Sequence, residues 1–81
     1  MTKKEARKWG KSMGEEILAD GDFTEGERSD EDSFSEAFWE IADNRKQYAG
    51  EITEDFRRDS EWEGYEEGLS IALSAYCRKY F

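Results

Sequence analysis

The chain has 81 residues, a formal net charge of −9, no histidine and a hydrophobic fraction of 36%. This length predicts one domain, residues 1–81, with a core close to the smallest that is stable by itself. The aromatic fraction of 15% favours folding over disorder, because aromatic side chains bury more area than aliphatic ones. The single cysteine, Cys77, excludes an internal disulfide and gives no zinc-ligand spacing.

The first predicted helix runs from a cap at Thr2 to about Ala19. The pattern Thr2-x-x-Glu5 is that of a capping box, which satisfies backbone amides at the start of a helix. Apolar residues recur at steps of three and four and predict one buried stripe: Ala6, Trp9, Met13 and Ile17. Basic residues fall on the opposite side, where they are either solvated or meet acidic residues of this chain or of a second copy: Lys4, Arg7, Lys8 and Lys11.

The next segment, Asp20–Asp32, is polar, acidic and contains glycine, so we predict a disordered or mobile loop. Phe23 is expected to anchor this loop to the core. The loop belongs to a longer stretch, Ser12–Asn44, that holds twelve carboxylates against one base, Arg28, for a local net charge of −11. Such a surface repels nucleic acid and anionic membranes, and attracts proteins that bind phosphates.

The second predicted helix begins near Ser33, where Ser33-x-x-Glu36 repeats the capping box, and ends at the expected C-cap Gly50. One side of this helix is apolar: Phe34, Ala37, Phe38, Ile41 and Tyr48. The other side carries a row of carboxylates: Asp32, Glu36, Glu40 and Asp43. Trp39 lies among these carboxylates, which indicates either cover by a neighbouring element or contact with a partner, since Trp is enriched at interface hot spots.

A short segment, Ile52–Asp59, follows, in which Thr53 is expected as a cap and Phe56 as a core contact. The third main helix is predicted to start at Ser60, where Ser60-x-x-Glu63 is again a capping box, and to continue almost to the C-terminus. Its broad apolar face is expected to be core: Trp62, Tyr65, Leu69, Ala72, Leu73, Tyr76 and Tyr80.

Glycines form a second, narrower stripe on the third helix, opposite its aromatic face. The same four-residue glycine spacing occurs in the first helix at Gly10 and Gly14. A glycine inside a helix costs about 1 kcal/mol relative to alanine, so these pairs predict a close backbone approach. Either the first and third helices cross through their glycine faces, or a homodimer forms through the stripe itself: Gly64, Gly68, Ile71 and Ala75.

These segments together predict an all-α fold, a small bundle of three main helices with an acidic loop between the first two. No apolar stretch is long enough to span a membrane, and the basic N-terminus lacks the apolar region of a signal peptide. We therefore expect a cytoplasmic protein with no membrane contact and no cofactor.

Catalysis and nucleic-acid binding are not expected. General acid–base catalysis needs a carboxylate whose pKa is raised by burial beside a pocket, whereas these carboxylates are expected on exposed faces. A nucleic-acid binder needs a basic groove with interleaved aromatic residues, and Lys3–Lys11 is too small a basic patch beside the acidic surface. The sequence therefore predicts a protein that is not an enzyme and does not bind nucleic acid directly.

The most specific alternative is a calcium-binding loop. Asp20, Asp22, Thr24 and Glu31 occupy positions one, three, five and twelve of an EF-hand frame. However, the sixth position is Glu25, where the sharp turn requires glycine, and no second loop accompanies it. We therefore assign no metal ligands, and whether the loop binds a cation stays open.

Short length, strong acidity, a helical pattern, Trp39 among carboxylates and no catalytic set give the chain a recognisable overall character. In that character it resembles small acidic phage-encoded anti-defence proteins of the anti-CRISPR or anti-restriction type. The resemblance implies a non-enzymatic inhibitor, acting in the host cell cytoplasm, that binds a prokaryotic nucleic-acid-handling effector such as a Cas protein of a CRISPR–Cas complex. It would block the DNA-binding surface of that effector by DNA mimicry.

The residues expected to contact such a partner follow from their spacing along the chain, since no motif defines the resemblance. They come from the acidic segment and from the second helix: Asp20, Asp22, Glu25, Glu27, Asp30, Glu31, Asp32, Glu36, Trp39, Glu40 and Asp43. The alternative function is a small helical protein–protein interaction module or dimeric adaptor unrelated to nucleic acid. Salt separates the two, because mimicry predicts a steep loss of affinity with added salt and an apolar contact predicts little change.

Overall fold

The fold is described from a computed structural model of the chain, for residues 2–48 and 59–81. Within these ranges the chain forms four helices and no strand: α1 (Lys3–Asp20), α2 (Glu25–Ser29), α3 (Glu31–Tyr48) and α4 (Asp59–Tyr80). The predicted all-α bundle of three main helices is confirmed, with the short α2 in addition. None of the helices in the described ranges combines the length and apolar character that crossing a membrane requires.

The start of α1 has the predicted cap at Thr2 but only half of the predicted capping box, since the Glu5 carboxylate accepts from the Thr2 hydroxyl and not from the Thr2 backbone amide. The Thr2 hydroxyl oxygen accepts a hydrogen bond from the backbone amide of Glu5 at 3.1 Å and donates one to the Glu5 carboxylate at 3.2 Å. At the other end the backbone amide of Gly21 donates the last helical hydrogen bond, to the carbonyl of Ile17 at 2.7 Å, and the extended backbone of Gly21 (φ −66°, ψ 146°) ends the helix there. Local sequence signals therefore set both ends of α1.

The segment Asp20–Asp32 contains helical residues, which corrects the prediction of one continuous loop. Thr24 is the cap of α2: its hydroxyl accepts from the Glu27 amide at 3.2 Å, and the Thr24 amide donates to the Glu27 carboxylate at 2.8 Å. This reciprocal pair is a complete capping box. The pattern Thr24-x-x-Glu27 is present in the sequence, but glycines and acidic residues surround it and favour a loop.

The first residue of α3 is Glu31, so Ser33 is not its cap as predicted. Asp30 caps the helix instead, because its carboxylate accepts from the Ser33 amide at 3.0 Å and from the Ser33 hydroxyl at 2.7 Å. These hydrogen bonds hold the pKa of Asp30 below its ordinary value of 3.8. A negative charge at a helix start also interacts favourably with the helix dipole, which explains why Asp30 takes this position.

Some predictions concern parts of the chain that are not described. The expected C-cap Gly50, the short segment with Thr53 and Phe56, and the side chain of Tyr48 all lie outside the described residues. The start of α4 at Asp59, one residue before the predicted Ser60, lies at the edge of a described range.

Helices α1 and α4 pack side by side and run parallel. Near the start of both helices, Gly64 lies against the backbone of Lys3, and farther along both helices Gly14 lies against Ala72. The contact is made through the predicted glycine faces, whose four glycines are all buried: Gly10, Gly14, Gly64 and Gly68.

Two positions show why glycine is required at this crossing. A Cβ atom on Gly68 would overlap the carbonyl oxygen of Arg7, and one on Gly10 would overlap the carbonyl oxygen of Tyr65. Backbone atoms cannot move aside as a flexible side chain can, so any larger residue would separate the helices. The predicted close approach is confirmed, and it lies inside the monomer.

The core lies between α3 and the α1–α4 pair. Phe34 and Phe38 of α3 and Ile17 of α1 are the largest fully buried side chains. Around them are further buried residues of the core cluster: Ala6, Phe23, Ala37, Ala42, Tyr65, Leu69, Leu73 and Cys77. Met13, Ile41, Trp62 and Tyr76 pack against this cluster and are partly buried.

Two residues predicted as core are exposed. Trp9 is 46% exposed, because the glycines and not the aromatic residue of α1 face α4. Tyr80 is 59% exposed at the end of α4, where its ring lies 4.4 Å from that of Tyr76. Helical spacing alone places Trp9 and Tyr80 on the apolar sides of their helices. Which part of each apolar side is buried depends on where the helices cross.

Phe23 anchors the acidic segment to the core, as predicted. Its ring stacks on Phe34 at a centroid distance of 4.3 Å, and Phe34 stacks on Tyr76 at 4.9 Å. The guanidinium of Arg28 lies 5.4 Å from the centre of the Phe23 ring. This stack attaches α2 and the turn before it to α3 and α4.

Candidate functional site

The outward side of α3 presents a row of carboxylates with a half-buried tryptophan beside it. We call the following five residues the acidic face of α3: Asp32, Glu36, Trp39, Glu40 and Asp43. The four carboxylates are exposed, and all five residues line one open depression together with Ser35 and Asn44. The predicted outward orientation of these carboxylates is therefore confirmed.

The position of the acidic face follows from the residues that α3 buries. Phe34, Phe38 and Ala42 recur every four residues and are buried against the rest of the bundle. The carboxylates fall on the other side of the helix, and those four residues apart are about 6 Å apart along its axis. Amphipathic spacing thus places the row and sets its pitch.

Trp39 is partly covered and partly open. Its ring meets Phe38 edge to face at a centroid distance of 5.5 Å and packs against the core cluster. The remaining surface of Trp39 faces two depressions, the one along the acidic face and a second between α3 and α4. The predicted cover of Trp39 is therefore partial, and contact of the open part of the ring with a partner stays a prediction.

The second depression, which we call the α3–α4 groove, has three residues from each helix on its walls: Trp39, Ala42, Asp43, Tyr65, Glu66 and Leu69. Its volume is about 280 Å³. Ala42, Tyr65 and Leu69 are buried and form an apolar floor, while Asp43 and Glu66 are exposed at the rim. The sequence analysis missed Glu66, because only the packing of α3 against α4 brings it beside Trp39.

Three of the predicted partner-binding carboxylates already have partners inside the chain. Asp20 accepts from the Arg45 guanidinium at 2.9 Å, which joins the end of α1 to α3. Glu27 and Asp30 accept hydrogen bonds from backbone amides at the starts of α2 and α3. These three residues stabilise the fold, and the structure does not place them on the acidic face.

The other predicted residues lie apart from the acidic face as well. Glu31 lines a different depression, near Cys77 and Arg78 at the end of α4. Burial raises the pKa of the Cys77 thiol, and the negative charge of Glu31 raises it further. Asp22 and Glu25 are exposed on either side of the Thr24 cap.

Two basic residues of α1, Lys3 and Arg7, meet carboxylates of α4 within the same chain, whereas Lys11 pairs with Glu15 of α1 itself. Arg7 donates two hydrogen bonds to one Glu67 oxygen, at 3.1 and 2.9 Å, and the Lys3 ammonium lies 3.3 Å from the other oxygen. These contacts hold the pKa of Glu67 below its ordinary value of 4.5. Lys4 and Lys8 are exposed.

No ion pair in the described part of the chain involves a carboxylate of the acidic face. The ion pairs found there join α1 to α4, join α1 to α3 through Arg45, or lie within α1. The carboxylates of the acidic face therefore have no ion-pair partner among the described residues, as is also true of Asp22, Glu25 and Glu31, but only those of the acidic face line one surface together.

Two side chains of the EF-hand frame have hydrogen-bond partners inside the chain. Asp20 pairs with Arg45, and the Thr24 hydroxyl accepts a hydrogen bond from the Glu27 amide. Across residues 2–48 and 59–81, no group of three or more carboxylate or cysteine side chains is arranged to hold a metal ion.

Comparison with protein-family models, curated proteins and solved structures gives no match to this chain, so the acidic face is interpreted from its own geometry and chemistry.

Proposed function

We propose that this protein is a non-enzymatic inhibitor that binds a prokaryotic nucleic-acid-handling effector, such as a Cas protein of a CRISPR–Cas complex. The acidic face of α3 would occupy the surface with which that effector binds DNA, in the manner of a DNA mimic. The observation that supports the proposal is a row of exposed carboxylates, none of them in an ion pair with a described residue, beside a partly open tryptophan.

The row works against the stability of its own helix. Like charges four residues apart, such as Glu36 and Glu40, destabilise a helix by about 0.2 to 0.5 kcal/mol. Asp32 lies in the first turn of α3, where the helix dipole favours a negative charge, but Glu36, Glu40 and Asp43 lie beyond that turn, where folding does not require carboxylates. An arrangement that lowers helix stability is explained when the carboxylates contact a basic partner.

Effectors that bind nucleic acid do so through Lys and Arg clusters, and much of their affinity comes from release of counterions. A folded surface with carboxylates about 6 Å apart along a helix can interact with the same clusters without any base pairing. Complementary charge also speeds association and disfavours partners with an acidic surface. The acidic face would therefore compete directly with nucleic acid.

Trp39 would add affinity that charge alone does not provide. Interfaces depend on a few well-packed anchors, among which tryptophan is enriched, surrounded by polar contacts that exclude water. The contact of Trp39 with Phe38 holds part of its ring against the core, so less side-chain freedom remains to be lost on binding.

The test is charge reversal on the acidic face. The parent and the variant with Glu36, Glu40 and Asp43 all changed to Lys are used to capture partners from a prokaryotic lysate, with identification by mass spectrometry. We expect the parent to retain a nucleic-acid-binding protein and the variant to lose it, with circular dichroism showing that the variant stays helical. Affinity for the identified partner should fall steeply with added salt.

The matched control changes Glu5, Glu15 and Glu63 to Lys, which alters the net charge equally at exposed positions of α1 and α4. Because Glu5 accepts from the Thr2 hydroxyl and the other two pair with Lys11 and Lys3, circular dichroism also checks that this control stays helical. This control should retain the partner. If both triple variants bind the identified partner as tightly as the parent does, DNA mimicry by the acidic face is wrong.

The alternative, an interaction module or dimeric adaptor, is favoured by a different surface. Ile71 is 43% exposed on α4, and Ala75, one turn later, is exposed as well. Gly64 and Gly68 are covered by α1, so only these two residues of the proposed dimer stripe are open to a second chain. A dimer that dissociates on Ile71→Glu and is insensitive to salt would favour this function.

A further inference from the structure

The α3–α4 groove combines three features that are rarely adjacent on a protein surface. Its floor is apolar, since Ala42, Tyr65 and Leu69 are each at most 3% exposed. The ring of Trp39 forms one wall, and the exposed carboxylates of Asp43 and Glu66 stand at the rim. The volume of about 280 Å³ is near the lower limit for ligand pockets and fits one long side chain.

Each feature matches a different part of an arginine side chain. The methylene stem can lie on the apolar floor, as Arg stems do on hydrophobic surfaces. The planar guanidinium can stack on the face of Trp39, and it is more weakly hydrated than the ammonium of lysine. Its forked N–H groups can donate to carboxylates on either side, here those of Asp43 and Glu66.

We propose that the α3–α4 groove binds an arginine side chain of the protein partner. This inference rests on the proposed function, since the arginine is one that the effector would otherwise use to contact DNA phosphates. It names the chemical group that is recognised and adds a residue, Glu66, that does not belong to the acidic face. Arginine is favoured over lysine, because the planar guanidinium can stack on the indole while its fork donates to two carboxylates, whereas the lysine ammonium is a compact and more strongly hydrated charge.

The test uses two tripeptides of equal charge, acetyl-Gly-Arg-Gly-amide and acetyl-Gly-Lys-Gly-amide, titrated into the ¹⁵N-labelled full chain at low ionic strength. The chain has three indole N–H signals, and Trp39→Phe identifies the one from Trp39. We expect a saturable shift of the Trp39 signal, with the arginine peptide bound at least about threefold more tightly than the lysine peptide.

Two charge-matched variants test the geometry. Glu66→Gln should weaken binding of the arginine peptide by about threefold or more, because it removes one of the two rim carboxylates. Glu63→Gln removes the same charge from an exposed position on α4 outside the groove and should leave binding nearly unchanged. Equal binding of both peptides, equal effects of both variants, or a saturable shift confined to Trp9 or Trp62 would each overturn the proposal.

Failure of this inference is distinguishable from failure of the proposed function. If the identified partner is lost on reversal of Glu36, Glu40 and Asp43 but is bound unchanged by Glu66→Gln, the competition stands and the arginine groove is wrong. If the arginine peptide binds selectively at Trp39 while the partner is indifferent to the triple reversal, the groove is supported and DNA mimicry is wrong.

Discussion

The α1–α4 interface and the acidic face of α3 use charge in opposite ways. At the interface, Arg7 and Lys3 donate to Glu67, and the glycines beneath them let the two backbones touch. On the acidic face, the carboxylates have one another as neighbours, and the described contacts give them no cation. In the described part of the chain, one charged surface forms ion pairs that join two helices, and the other forms none.

This difference shows how to separate structural from functional charge in an acidic protein. A carboxylate that accepts from a backbone amide or a guanidinium, as Asp30 and Asp20 do, has its role inside the fold. A carboxylate aligned with others and left to solvent has no such role, and its repulsion lowers helix stability. The second kind is where a partner should be sought.

The largest expected effect is on the packed side. Gly68→Leu should lower the free energy of unfolding by about 3 kcal/mol or more, because the new side chain would meet the carbonyl oxygen of Arg7. Urea denaturation followed by circular dichroism measures this loss.

The matched change Gly26→Leu lies on exposed α2, where a Cβ would meet only the Thr24 hydroxyl at 3.9 Å. It should leave stability unchanged or raise it by up to about 1 kcal/mol. A raised melting temperature for Gly68→Leu would contradict the crossing.

The next effect is on binding and not on folding. Trp39→Ala should weaken the complex with the identified partner by about 2 kcal/mol or more, measured by calorimetry, if Trp39 is its anchor. Trp9→Ala is the control, since Trp9 is 46% exposed on α1, away from the acidic face. Equal losses of affinity from both variants would show that the partner does not bind preferentially at the acidic face.

A smaller effect should come from the cap within the acidic segment. Thr24→Ala removes the hydroxyl that accepts a hydrogen bond from the Glu27 amide. This change should lower the free energy of unfolding by about 1 kcal/mol. Amide hydrogen exchange at Glu27 should accelerate more than exchange in α1. Ser29→Ala, at the other end of α2, is the comparison and should change stability by less than about 0.5 kcal/mol. Unchanged exchange at Glu27 would show that the capping box does not hold α2.

The smallest effect is a dependence on pH at the packed side. The pKa of Glu67 is lowered, chiefly by the hydrogen bonds from Arg7 and then Lys3, so the ionised carboxylate favours the folded state. This contribution is fully present above the ordinary value of 4.5 and is lost as the pH falls through the lowered value. Glu67→Gln should therefore be less sensitive to acid in this range than the parent, as followed by thermal unfolding. An identical pH profile would show that the exposed ion pairs contribute nothing.

Much of the architecture could be predicted from the sequence because it depends on local chemistry. The cap at Thr2, the anchoring by Phe23 and the outward row on α3 all follow from short-range spacing, and the structure confirms them. The cap at Thr24 was equally local but was missed, since Gly21, Gly26 and the acidic residues around it indicate a loop. Asp30 and Ser33 can each cap the start of α3, and their spacing alone does not show which of them does so.

The candidate site was less predictable. The sequence named eleven residues for the partner contact, and the structure brings five of them together on the acidic face. Asp20, Glu27 and Asp30 form bonds inside the chain, and Glu31 lies toward the end of α4. Glu66 joins Trp39 only because α3 packs against α4, and such a contact has no signature in the spacing of either helix.

The sequence by itself determined where the main helices lie, which side of α3 is acidic, and that two glycine pairs require close contact. Only the tertiary structure decided that these pairs meet each other within one chain, with α1 and α4 parallel. It also decided that Trp9 is exposed and that Trp39 borders a groove with Glu66. The physical reason is range: capping and amphipathic spacing act within one or two helical turns, whereas crossing points and grooves depend on how surfaces distant in the sequence fit together.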